Sequence, residues 1–333
     1  KILLWSTLIP ALLCSIIPIL SKYSVSIFFY YVIAFLIPLF STLFQTGFSV
    51  ITPALFEKEE LQKYNSQFQG VRTISKLISP ALAGVLMLKF NINSIFFINS
   101  ASFLLLFLSI LISYIPDQEH KENGNDDIKE IFVGFKENFT NIKLRISLLF
   151  TIVVNIAMLG FNATIIYYLQ DQLKLSNSLV GIVYSIAGFG SLIAVTLLST
   201  FLNKKDTFIL MNISMATIPL VIMASGIVEN WIFFGICYSI LSGLITIASV
   251  SITTIQQQES TEYNIGKILS SSFVIATIFA PFGGILAAYF NWLLNPRLSL
   301  VILGLLSSLL VILIKSYEKK LIKKSTAIFI KED

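Results

Sequence analysis

The 333-residue chain has one histidine, two cysteines and few charges, and each scarcity removes a class of function. His120 lies in a hydrophilic stretch without a second histidine, so neither a His-based zinc site nor a histidine general base is expected. Cys14 and Cys237 fall inside apolar runs, which leaves no disulfide framework and no thiolate metal site. Charged residues make up 12%, about half the share of an ordinary soluble domain. No apolar run holds a carboxylate near its middle, nor a His pair or a Ser/Lys arrangement, so intramembrane enzyme chemistry is not expected and no cofactor is implied. The basic residues lie in loops and at the C-terminal end rather than on one folded face, which argues against a nucleic-acid partner. Residues 1–20 carry Pro10 and Pro18 and lack a small-residue cleavage site, so they do not read as a signal peptide.

Apolar sequence is what the chain has in quantity. It is 56% hydrophobic, with a mean hydropathy of +0.84. Crossing a bilayer takes about 20 apolar residues, and ten stretches approach that length: 3–20, 26–48, 73–90, 94–115, 145–169, 178–202, 207–228, 231–254, 268–290 and 298–314. Alternating ten-residue segments of the barrel type are missing, so the fold class is all-α and polytopic. With the hydrophilic linker 116–143 placed in the cytoplasm, only Lys22, Lys89, Lys174 and Arg297 of the 23 Lys and Arg fall outside. The charge bias therefore predicts a cell-membrane protein with both ends of the chain cytoplasmic. The basic tail 317–333, with Lys319, Lys320, Lys323 and Lys324, then faces anionic lipid.

The chain is organised around Tyr64–Leu86 and an echo of it about 200 residues later, Tyr263–Leu286. Both open on Tyr-Asn, pass through a polar turn and enter an apolar segment interrupted by proline and glycine: Pro80 and Gly84 in the first, Pro281, Gly283 and Gly284 in the second. Proline bends a helix and glycine lets a neighbouring backbone approach. These five are candidate hinge residues, with close packing as the other explanation. The repeat divides the chain into a half-bundle 1–115, a linker 116–143 with a helical pattern from Ile128, a six-span half-bundle 144–316 and the tail. Ile128, Ile131, Phe132, Phe135, Phe139 and Ile142 share a face, and two readings stand open: a helix flat on the membrane, or one packed on the ends of neighbouring spans. Spans 145–169 and 178–202 have no counterparts in the first half, so two further helices are expected ahead of Lys1. The 333-residue stretch alone is expected to be transport-inactive.

Uncharged polar residues inside the spans mark the candidate site. Pro38, Thr42, Gln45 and Ser49 share one helical face, as do Ser239, Ser242, Thr246, Ser249 and Thr253. Asn155 and Asn162 are seven apart on one face, and an amide facing lipid is costly. Gln45, Asn155, Asn162, Ser242 and Thr246 are therefore predicted to line a substrate cavity, although small-residue packing also explains the Ser/Thr stripe. Arg72 enters its span from the cytoplasmic side and either snorkels or meets a negative partner.

Three passages carry a family resemblance. Residues 51–87, ITPALFEKEELQKYNSQFQGVRTISKLISPALAGVLM, and residues 128–149, IKEIFVGFKENFTNIKLRISLL, resemble a loop-and-span region and a linker of the major facilitator superfamily. Ser79-Pro80-Ala81-Leu82-Ala83-Gly84 resembles that superfamily's exporter motif Gly-Pro-x-x-Gly-Gly, with Ser79 and Ala83 in place of two glycines. The likeness is to the drug-exporting branch with macrolide-efflux and enterobactin-exporter-type proteins. It implies two half-bundles of a twelve-helix fold, ten of those helices present here, and proton-coupled export of amphipathic small molecules by alternating access. A monomer with a small-molecule substrate, protons and the lipid bilayer as partners follows from the same likeness. A lysolipid or lipid flippase of the same fold, and a membrane scaffold without transport, are the alternatives.

Overall fold

The computed structural model describes residues 2–23, 26–113, 128–261 and 263–332. All regular structure among them is helical. The helices are α1 (Ile2–Leu20), α2 (Ile27–Leu55), α3 (Leu61–Lys89), α4 (Ile92–Ile112), α5 (Ile128–Thr140), α6 (Ile142–Tyr167), α7 (Asn177–Thr200), α8 (Thr207–Ile227), α9 (Trp231–Gln258), α10 (Ile265–Leu293) and α11 (Pro296–Glu332). A π-helical turn, Tyr168–Gln172, continues α6. Among the described residues nine helices are long and apolar enough to cross a membrane. The remaining expected span, 73–90, lies in α3. Helix is the form that satisfies every backbone polar group inside hydrocarbon. Polar side chains at the ends mark where helices start: Asn91, Asn141, Ser176, Asp206 and Asn230 each accept a hydrogen bond from a first-turn amide.

The chain forms two compact units, Lys1–Glu57 with Lys76–Asn125, and Lys58–Ser75 with Asp126–Asp333. In the first, α1 packs between α2 and α4 through small and proline-flanked positions: Ser6, Thr7, Pro10, Ala11, Cys14 and Pro18 are buried. Ser100 of α4 donates to the Ala11 carbonyl at 2.6 Å, and Asn99 Nδ2 reaches Cys14 Sγ at 3.4 Å.

The second unit is built on backbone-to-backbone seams. A Cβ at Gly283 of α10 would collide with the Ile156 carbonyl of α6, and one at Gly190 of α7 would collide with the Ser239 carbonyl of α9. Gly304 of α11 lies as tightly on α8, where a Cβ would sit 2.8 Å from the Pro219 carbonyl oxygen. Packing in lipid gains little from hydrophobicity, so close approach at small residues carries the association.

The linker helix α5 belongs to this unit. Asn138, fully buried, donates to the Ile268 carbonyl (3.0 Å) and Ser271 Oγ (2.8 Å) and accepts from Ser272 Oγ (3.0 Å). One turn earlier, Gly134 rests on the backbone of Lys267. The packed face is therefore Gly134–Asn138, while Phe132 and Phe139 stay exposed. Of the two readings of this helix, packing on the end of a span holds for its small and polar face.

Candidate translocation site

On α6, Val153, Ala157, Gly160, Phe161 and Thr164 are buried against neighbouring helices. The opposite face carries Asn155, partly buried, with Leu159 and Asn162, both exposed. Neither amide makes a hydrogen bond to a described residue. Gln45 is exposed on α2, where Thr42 Oγ1 donates to the Pro38 carbonyl (2.9 Å) and Ser49 Oγ to the Gln45 carbonyl (3.0 Å). Those two hydroxyls satisfy themselves on their own helix.

Ser242 and Thr246 sit elsewhere. Thr246 is buried with its hydroxyl on the Ser242 carbonyl (2.9 Å), and Ser191 of α7 donates to that same carbonyl (3.3 Å). Gly243 faces the Gly190 carbonyl across this seam. The α7–α9 contact therefore accounts for both residues, because helical spacing alone does not separate a packed polar stripe from a cavity wall. The hinge candidates also differ from one another. Gly283 is closed on the α6 backbone, whereas a Cβ at Gly284 would meet only Leu159 Cδ2 at 3.8 Å, and Pro281 is exposed inside α10. Pro80 and Gly84 lie in α3 outside the residues whose side chains are described. Arg72 is exposed, its guanidinium 5.9 Å from the Phe68 ring centroid.

The start of α3 was not foreseen as a site. The polar turn expected after Tyr64-Asn65 is part of helix α3, and Gln62 and Ser66 in its first turns are buried. Gln62 donates to the Leu202 carbonyl (2.8 Å) and accepts from Thr207 Oγ1 (3.0 Å). Asn65 Nδ2 reaches Thr254 Oγ1 (2.9 Å) and Gln257 Oε1 (2.6 Å). Lys58 and Gln258 exchange bonds with each other's backbone carbonyls. Every acceptor in this clasp is an amide, hydroxyl or carbonyl oxygen. The signal available in sequence was polar, Gln62, Asn65, Ser66, Gln69 and Thr73 at helical spacing, where apolar periodicity is the usual marker.

Beside the clasp lies a cleft of about 580 Å³ lined by residues that include Glu59, Lys143, Lys204, Lys205, Asp206 and Glu259. Asp206 caps α8, and Lys143 Nζ bridges Glu259 at 2.7 Å. Burial pushes the Glu259 carboxyl up, but hydrogen bonds from Lys143 and Asn141 and the charges of Lys143 and Lys58 outweigh it and hold it below its ordinary value. At the other end of the unit Arg297 pairs with Glu229 at 2.6 Å and donates to the Ile227 carbonyl (3.1 Å). Among the described residues no group of His, Cys, Asp and Glu is placed to hold a metal ion.

Among the described residues the apolar helices form two units, and comparison with known proteins places that fold. The Major Facilitator Superfamily profile matches residues 1–270. The chain belongs to the Major Facilitator Superfamily. It is 24% identical over 295 residues to Macrolide efflux protein A of Streptococcus pyogenes, covering 87% of this chain and 73% of that protein. It is also 24% identical over 288 residues to Macrolide efflux protein A of Enterococcus faecalis, covering 85% and 89%. Among solved structures it resembles the human organic anion transporter MFSD10 (TM-score 0.72, 12% identity, covering 94% of this chain and 80% of that one). It also resembles the major facilitator transporter FucP in the outward conformation (0.71, 13%, 95% and 82%). Those structures share the fold, and the chain is a multi-pass membrane transporter of this superfamily.

Proposed function

We propose that this major facilitator protein exports amphipathic, macrolide-like small molecules in exchange for protons, by alternating access. The observation that carries the reading is the 24% identity to macrolide efflux proteins over most of the chain. The unbonded amides of Asn155 and Asn162, on the same face of α6 as the exposed Leu159, are proposed to line the substrate path together with Gln45. A buried carboxylate usually carries proton coupling, and none stands mid-span here, so coupling is assigned to no residue of this stretch. The protein acts as a monomer, performs no covalent step and keeps Lys143, Lys204 and Lys205 on the cytoplasmic side.

An efflux assay with the full gene product in a pump-deficient bacterial host tests this. Lower erythromycin accumulation, abolished when the proton gradient is collapsed, is expected. Unchanged accumulation of macrolides and dyes, with translocation of lysolipid instead, establishes the flippase reading. Orientation has its own test. Leu293→Cys in a Cys14→Ala, Cys237→Ala background is expected to react with an impermeant maleimide from outside, and labelling from inside alone reverses the topology.

A further inference from the structure

Two cations enter the first turns of α6, Lys143 and Arg145, and no acidic residue accompanies them there. The amino end of a helix already carries partial positive charge, so each cation needs an anion from elsewhere. Lys143 has one, the Glu259 carboxylate at 2.7 Å. Arg145 has none: its side chain makes no hydrogen bond or ion pair with a described residue, and its Nε is buried. Beside the guanidinium lies the ring of Tyr317 on α11, with 5.4 Å between the guanidinium carbon and the ring centroid. A ring face attracts a cation, but it does not replace the hydrogen bonds of a guanidinium taken partly out of water. Arg145 lacks the counter-anion that its neighbour has.

The surface around Tyr317 narrows the kind of anion that fits. Leu305, Leu309, Leu313 and Tyr317 follow one another at intervals of four and form one ridge along α11. The leucines are 51%, 54% and 56% exposed and Tyr317 is 40% exposed, so an open apolar ridge ends on a phenol. Around that phenol the helix turns basic: Lys315, Lys319 and Lys320 stand against one carboxylate, Glu318. Apolar ridge, phenol, guanidinium and surplus cations follow the order of tails, ester and phosphate in a phospholipid. A free phosphate would engage the cations and leave the ridge uncovered.

We infer that Arg145 and Tyr317 hold the headgroup of an anionic phospholipid whose acyl chains lie along Leu313, Leu309 and Leu305. The guanidinium donates paired hydrogen bonds to two phosphate oxygens, and the Tyr317 hydroxyl donates to a further phosphate or ester oxygen. Lys319 and Lys320, both exposed, attract the net negative charge. The inference rests on neither the transported substrate nor the direction of transport.

The test is native mass spectrometry of the full gene product in detergent, titrated with phosphatidylglycerol or with phosphatidylcholine of the same acyl chains. The wild type is expected to bind phosphatidylglycerol more tightly. Arg145→Gln is expected to raise that Kd about tenfold, the loss of hydrogen bonds to a charged group, and Tyr317→Phe about threefold. Arg145→Lys keeps the charge without the planar fork and is expected to fall between wild type and Arg145→Gln. Lys205→Gln removes an exposed cation elsewhere in the same unit and is expected to leave Kd unchanged. Phosphatidylglycerol is also expected to raise the Tm of the wild type but not that of Arg145→Gln. Wild-type Kd in both Arg145→Lys and Tyr317→Phe overturns the site, even if Arg145→Gln does not fold. An equal loss in Lys205→Gln overturns it as well, because bulk charge then suffices. Inorganic phosphate that binds as tightly as the lipid shows a free-anion site and overturns the lipid assignment.

Discussion

The two units use the same kind of sequence differently. In the C-terminal unit the buried share of a span runs from 17% in α10 to 50% in α6, whereas in the N-terminal unit α1 reaches 39% but α2 and α4 only 6% each. The glycines differ between the units as well. Gly190, Gly283 and Gly304 each lie against a neighbouring helix backbone, while Gly47 of α2 meets a flexible side chain, Leu3, at 3.1 Å. The fate of polar residues follows from this. Ser239, Ser242 and Thr246 belong to a seam in the C-terminal unit, whereas Thr42 and Gln45 remain on an exposed face of α2. Tight seams absorb polar groups, and a loosely packed helix leaves them on its surface.

The sharpest way to break this contrast is to enlarge the glycines. Gly283→Ala and Gly190→Ala are expected to destabilise by about 3 kcal/mol or more, because backbone atoms have no rotamer with which to yield. Gly284→Ala, one residue away, and Gly47→Ala are expected to stay within about 1 kcal/mol of wild type. Thermal unfolding in detergent, followed by size-exclusion chromatography, ranks the four. Equal losses at Gly283 and Gly284 would remove the argument from seams.

Next in size is the pin on the linker helix. Asn138→Ala removes the bonds to Ser271, Ser272 and the Ile268 carbonyl, of which Ser271 and Ile268 keep the one between them, and is expected to cost about 1–3 kcal/mol. Protease cleavage near residue 140 should rise with it. The clasp at the start of α3 comes third. Asn65→Ala is expected to speed amide exchange over 61–72 without altering its salt dependence, because no charge takes part in the bonds lost. A strong salt dependence of that exchange would show that charges hold this segment instead.

The smallest expected effect is one of pH. A carboxyl held below its ordinary value contributes stability that is present at neutral pH and is lost as pH falls through the lowered value. For Glu259, partly exposed, this amounts to no more than about 1 kcal/mol. Glu259→Gln is expected to flatten the acid side of the stability profile and leave the alkaline side unchanged.

How much of this was legible in the sequence follows from the kind of force involved. The spans were legible because hydrocarbon thickness sets a minimum apolar length, although α2, α9 and α10 run beyond their apolar stretches into polar turns. The first turns of α3 were not, since hydrogen bonds rather than apolar contacts bury Gln62 and Ser66, and a polar helix reads as a loop. In α5 the aromatic face drew attention, but Gly134 and Asn138 do the packing. Gly283 and Gly284 are adjacent in sequence and opposite in consequence, a distinction that depends on where α6 passes. Asn155 and Asn162 were legible as a shared face, and their amides find no partner among the described residues.

The central claim is that this face of α6 carries substrate. It is tested most directly by measuring erythromycin efflux from a pump-deficient host expressing wild type, Asn155→Leu or Asn162→Leu from the full gene at matched membrane levels. Each variant is expected to insert and unfold like the wild type yet lose at least about 1.4 kcal/mol of transport efficiency, a factor of ten. Wild-type efflux from both variants at equal expression would contradict the claim.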